Sequence, residues 1–126
     1  MGKDDGFTPR VGGHLWLETE DGALFGPGRI ELLAGIDTLG SLNKAAKAMG
    51  MSYRDAWGRI REMEARMGQA MVAKLRGRGG YSLTPYGRDV VERFQAWHAD
   101  VEAYALERAR KTFPWPVQGE DDAEAD

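Results

Sequence analysis

Cysteine is absent from the 126 residues, histidine occurs only as His14 and His98, and nowhere do 18 apolar residues follow one another. Each absence closes a class of function. Without cysteine there is no disulfide framework, no thiolate-ligated metal and no thiol nucleophile. His14 falls in a short strand-like stretch and His98 in a long helical one, so no nucleophile and base are brought together by pattern; no enzyme is expected. Each histidine reads as a surface or interface residue. The six methionines lie mostly at core phases of helical segments, so neither a thioether metal site nor any cofactor is expected. The opening MGKDDGFTPRVGG is polar and glycine-rich and has no apolar core for a secretory signal, and no segment is fit to cross a bilayer. The expectation is a soluble, cytoplasmic chain with no membrane partner. Its length allows one domain with terminal extensions.

The net charge of −3 hides an asymmetry. Between Ser41 and Arg88 there are ten Lys or Arg against three Asp or Glu, whereas the rest of the chain carries seven against seventeen, five of them in the last ten residues. A basic middle between acidic ends is the electrostatic footprint of phosphate binding, with acidic flanks that weaken non-specific attraction. Solvated surface charge is the plainer reading of the same count.

Within the basic middle, SLNKAAKAMGMSYRDAWGRIREM from Ser41 to Met63 reads as two short helices around a Gly50-Met51 turn. Leu42, Ala45, Ala46 and Met49 recur at i, i+3, i+4 and i+7, with Asn43, Lys44 and Lys47 on the other side. Ser41 and Ser52 precede the two runs and suit N-caps. In the second run Ala56, Ile60, Met63 and Met67 stack on one side, which leaves Arg54, Gly58, Arg61 and Ala65 on the opposite one. Glycine inside a helix costs about 1 kcal/mol against alanine, and its use here fits a helix that must lie close to a polyanion. This is a helix-turn-helix pattern with the second helix as reader, although two amphipathic helices and a glycine turn also occur in helical domains that never meet DNA.

Around this motif the order is consistent. Residues 1–13 are expected to form a flexible N-terminus. From His14 two short apolar runs flank Asp21-Gly22, a hairpin signal, and Arg29 to about Leu39 forms a first helix with Ile30, Leu33, Ala34 and Ile36 inward. Met71–Arg76 and Tyr81–Thr84 are strands on either side of Gly77-Arg78-Gly79-Gly80, a wing tipped with Arg76 and Arg78. The glycine loop lacks the Gly-Lys-Ser/Thr sequel of a nucleotide-phosphate loop. Thr84-Pro85 starts a helix that runs to about Thr112, roughly 40 Å. Along it Val90, Phe94, Trp97, Val101 and Tyr104 recur at spacings of 4, 3, 4 and 3, a coiled-coil seam. Its far half needs a cover, which points to a homodimer through residues 84–112; a helix folded back on its own domain is the alternative. Residues 113–126 read as an acidic disordered tail. The fold class is mainly α with small β-hairpins: a winged helix-turn-helix over residues 14–112 with a long C-terminal dimerisation helix.

Three strings, Gly50-Met51-Ser52-Tyr53-Arg54-Asp55-Ala56-Trp57, then Ile60 with Glu62-Met63, then Leu83-Thr84-Pro85-Tyr86-Gly87, carry a resemblance. Over roughly His14 to Thr112 the chain resembles the N-terminal DNA-binding domain of the ModE family of bacterial molybdate-responsive regulators, related to the winged helix of LysR-type regulators. The resemblance implies a sequence-specific regulator that binds double-stranded DNA as a homodimer at a two-fold symmetric operator, with genes of molybdate transport or metabolism as targets. It covers only the first half of such proteins, so a stand-alone winged helix is expected and molybdate binding by this chain is not.

The expected contacts follow from chemistry. Ser52 caps the reader and, with nearby amides, suits a phosphate; Ser41 does the same for the preceding helix. Arg54 and Arg61 suit base edges, because a guanidinium pairs bidentately with guanine. Tyr53 and Trp57 lie at the border of core and exposed face and either suits a contact with bases, Trp57 reading first as packing. Lys44, Lys47, Arg76 and Arg78 suit phosphates, with Gly58 permitting close approach. The competing expectation is a protein-interaction module with the same fold and no DNA binding.

Overall fold

The computed structural model describes residues 7–77 and 80–119, divided into two compact units: His14–Gln95, and the flanking residues 7–13 with 96–119. No helix among the described residues is long and apolar enough to cross a membrane.

In the first unit, β1 (Leu17–Thr19) and β2 (Gly22–Phe25) form an antiparallel hairpin. Its two turn residues are Glu20 and Asp21; Gly22, expected within the turn, instead opens β2 opposite Thr19. The Thr19 hydroxyl accepts the Asp21 amide at 3.1 Å, which closes the turn one position early. Gly22 takes a φ of 125°, a value that disfavours any side chain, and the Arg66 guanidinium lies 3.4 Å from where its Cβ would stand.

Helix α1 (Pro27–Leu39) begins with proline at its first position and ends at Gly40, whose left-handed φ of 79° lets its amide reach the Ile36 carbonyl. Ile30, Leu32, Leu33 and Ile36 are buried. Leu32, one position before the expected inward residue Leu33, is buried with it. Helix α2 (Leu42–Ala48) crosses α1 closely: a Cβ at Gly35 would stand 3.1 Å from that of Ala45. Helix α3 (Tyr53–Met67) buries Ala56, Ile60 and Met63 and ends at Gly68 in the left-handed region. Together with Met71, Val72, Leu83, Val90, Val91 and Phe94 these side chains form one continuous core.

The strands β3 (Val72–Lys74) and β4 (Tyr81–Leu83) pair antiparallel, with Val72 opposite Leu83 and Lys74 opposite Tyr81. Leu75 N–H donates to the Gly80 carbonyl at 2.7 Å, closing the wing. Thr84 then caps α4 (Pro85–Thr112): its hydroxyl accepts the Gly87 amide at 2.9 Å and donates to the Ala70 carbonyl at 2.8 Å. Gly87 is buried against the Met71 carbonyl, where a Cβ would overlap the oxygen. Mainly helical with two small hairpins, the chain has the expected winged helix-turn-helix order.

In the second unit, residues 113–119 return along the end of α4. Arg110 donates to the Val117 carbonyl at 2.9 Å, and Gly119 packs against Leu106. The N-terminal segment joins them: Gln118 N–H donates to the Pro9 carbonyl at 2.9 Å, and Phe7 meets Trp115 edge-on at 5.4 Å.

Candidate nucleic-acid interface

Local chemistry sets the two helices of the central motif. The Ser41 hydroxyl accepts the Lys44 amide at 2.9 Å, and the Ser52 hydroxyl accepts the Asp55 amide at 3.0 Å, so each serine satisfies one of the free donors of a first helical turn. Gly50, at a φ of 71°, makes the turn between them, and Met51 N–H closes it on the Ala46 carbonyl at 3.0 Å. With Leu42, Ala45 and Ala46 buried, Lys44 and Lys47 are left in solvent. On α3 the burial of Ala56, Ile60 and Met63 exposes Arg54, Gly58, Arg59, Arg61 and Ala65. The exposed stripe is therefore the one that periodicity assigns, with Arg59 beside it. Arg59 escapes the sequence reading because it lies between the two helical faces and belongs cleanly to neither.

The ten basic residues of the middle segment divide by partner. Arg66 donates to the Ala23 carbonyl, to the Asp21 carbonyl at 2.9 Å, and pairs with Glu62 at 3.4 Å. Arg88 pairs with Asp37 at 3.1 Å. Outside the segment, Arg29 donates to the Leu24 carbonyl at 3.2 Å and pairs with Glu62 at 2.5 Å. Hydrogen bonding from Arg29, then its charge, holds the Glu62 carboxyl below its ordinary value of 4.5. Arg29, Glu62 and Arg66 thus clamp the N-terminal hairpin to α1 and α3, and they are architecture. Lys44, Lys47, Arg54, Lys74 and Arg76 make no ion pair among the described residues and stay available to an external anion. Arg78, expected at the wing tip, lies outside the described residues.

Aromatic rings join α3 to the wing. Trp57, half-buried against the core, meets Tyr81 of β4 edge-on at 4.9 Å and Tyr53 at 6.5 Å, while the Arg61 guanidinium lies 4.7 Å from its ring centre. Tyr81 has a signal the sequence reading passed over: it alternates with buried Leu83 and so shares its inward face. Tyr53 is exposed at the start of α3. The seam of α4 divides. Val90 and Phe94 lie in the core of their own unit, Phe94 edge-on to Phe25 at 5.8 Å, whereas Trp97, Val101 and Tyr104 are exposed, Tyr104 at 63%.

Two short helices on a glycine turn, a third helix behind them and a glycine-looped hairpin after the second define a class of protein module. Residues 28–88 match the family described as bacterial regulatory helix-turn-helix protein, lysR family, and this stretch is a helix-turn-helix domain of that family. Among relatives, the chain is 36% identical over 95 residues to the molybdenum transport protein ModE of Azotobacter vinelandii, which covers 73% of this chain and 35% of that protein. Over 83 residues it is 34% identical to the DNA-binding transcriptional dual regulator ModE of Escherichia coli, covering 64% of this chain and 32% of that protein. The chain spans about a third of the length of these relatives. Among solved structures, the crystal structure of a CbnR_DBD-DNA complex shares the fold, with a TM-score of 0.52 and 19% identity over 66% of this chain and 92% of that one. The resemblance carried by the Ser-Tyr-Arg-Asp-Ala-Trp string thus agrees with relatives that bear the ModE name.

Proposed function

We propose that the chain is a sequence-specific DNA-binding transcriptional regulator of ModE type, with α3 as the reader in the major groove. The observation that carries this reading is the exposed stripe Arg54, Gly58, Arg61 and Ala65, basic at two positions and small at the other two, on a helix whose opposite face is locked in the core. Arg54 and Arg61 discriminate bases. Tyr53 reaches the same groove from the first turn of α3. Lys44, Lys47, Arg76 and Arg78 hold phosphates and set the register, together with Ser41 and Ser52 at the starts of the two helices.

A major-groove reader gains from presentation in pairs. Trp97, Val101 and Tyr104 form an exposed apolar stripe at helical spacing, and a second copy is the cover that places two readers on a two-fold symmetric operator. The likeness to a molybdenum transport protein supports genes of molybdate transport or metabolism as targets.

Titration of a labelled duplex with the purified chain at increasing salt tests the reading. DNA binding releases counterions, so the logarithm of affinity falls linearly with the logarithm of salt, by about 0.9 per phosphate contact. A flat response, with binding retained to a protein partner, belongs instead to an interaction module of the same fold.

A further inference from the structure

Trp57 lies where three parts of the interface meet. Its indole packs on the core from α3, meets Tyr81 of the wing edge-on at 4.9 Å, and has the Arg61 guanidinium 4.7 Å from its ring centre. The spacing explains the last contact: side chains four apart on a helix are neighbours, and a long side chain leans toward the N-terminus, which brings Arg61 back over Trp57. Tryptophan offers the most favourable ring face to a cation. That attraction engages the charge of the guanidinium without consuming its N–H donors. The contrast with Arg29, Arg66 and Arg88 is direct, since their donors are already engaged by carboxylates or carbonyls.

We infer that Trp57 is a positioning residue for base recognition: its ring holds the Arg61 guanidinium ready over α3 and fixes α3 to the wing, so that discrimination by Arg61 depends on the indole. The inference rests on the proposed DNA reading. A surface arginine without such a support must surrender its rotamer freedom on binding, and a base pair that offers good hydrogen bonds then gains less over one that does not. Tyr81 stands opposite Lys74, next to the wing loop, so the same indole sets where the wing lies relative to the reader.

The test is equilibrium binding of the full chain to a selected duplex and to its single-base-pair variants at several salt concentrations. The proteins are wild type, Arg61→Ala, Trp57→Leu, Trp57→Phe and the Trp57→Leu/Arg61→Ala double variant. Arg61→Ala is expected to lower discrimination at one base pair by about tenfold. Trp57→Leu should lower it several-fold at that same pair, and should add nothing at that pair once Arg61 is gone. Trp57→Phe, with a smaller and less electron-rich face, should fall between; it carries the comparison should Trp57→Leu fail to fold, and full discrimination in it would overturn the inference. A loss equal on all duplexes, or equal with and without Arg61, would reduce Trp57 to packing. If wild type selects a sequence but Arg61→Ala discriminates as wild type does, the inference falls and the DNA reading stands. If wild type selects no sequence, the DNA reading falls and takes the inference with it.

Discussion

Replacing Gly58 by alanine should move stability and DNA affinity in opposite directions. Gly58 lies inside α3, which runs from Tyr53 to Met67; its φ is not positive, and no side chain or neighbouring element comes within 4 Å of where a Cβ would stand. The fold therefore has no use for the missing methyl. Alanine in such a helix interior is favoured over glycine by about 0.5–1 kcal/mol, chiefly because glycine loses more backbone freedom on folding. For a domain of this size that raises the melting midpoint by roughly 2–6 °C. If Gly58 faces the floor of a groove, the added methyl overpacks that contact at about 1–3 kcal/mol, or roughly 5- to 150-fold in affinity. Thermal melting followed by helical circular dichroism reads the first effect, and fluorescence anisotropy with a labelled duplex reads the second. A variant that is more stable and binds as tightly as wild type would refute close approach at Gly58. A less stable variant would refute the free helix interior.

Further expectations follow from the same contacts. Gly87→Ala should destabilise by about 1–3 kcal/mol, measured by urea unfolding, because its methyl meets the Met71 carbonyl oxygen. The Glu62 carboxyl is held below 4.5 by Arg29, so its contribution to stability is fully present above that value and is lost as pH falls through the lowered one. Glu62→Gln should accordingly flatten the acid limb of a melting-point-versus-pH curve relative to wild type. Arg76→Ala should weaken binding to all duplexes alike and reduce the salt slope by about one, whereas Arg61→Ala should relax selectivity at one base pair; equal effects of both on every sequence would contradict that division. Val101→Asp places a charge in the exposed α4 stripe and should shift sedimentation from dimer to monomer, leaving the circular dichroism spectrum unchanged.

The elements that local chemistry defines were legible from the residues. Ser41 and Ser52 cap where expected, Gly40 and Gly68 stop their helices in the left-handed region, and Thr84-Pro85 opens α4. Long-range pairing was not legible. Arg66 reaches a carbonyl 43 residues away, and nothing in its neighbourhood distinguishes it from Arg61, so a charge count assigns both to one patch. The α4 seam shows the same limit. Val90 and Phe94 share the spacing of Trp97, Val101 and Tyr104, yet the first two are buried, Phe94 against the Phe25 ring of the hairpin, and the other three are exposed. The turn falls on Glu20 and Asp21, one residue earlier than Asp-Gly suggests, and the Thr19 hydroxyl accepting the Asp21 amide is a contact that a turn-residue pattern does not encode.

Selection from a pool of randomised duplexes by the purified chain, beside a variant in which Arg54 and Arg61 are both alanine, tests most directly the claim that α3 reads DNA. Recovery by wild type of one two-fold sequence, its half-sites one or more helical turns apart, with that enrichment lost in the variant, is the predicted result. Recovery of no sequence by wild type, or of the same sequence by both proteins, would contradict it.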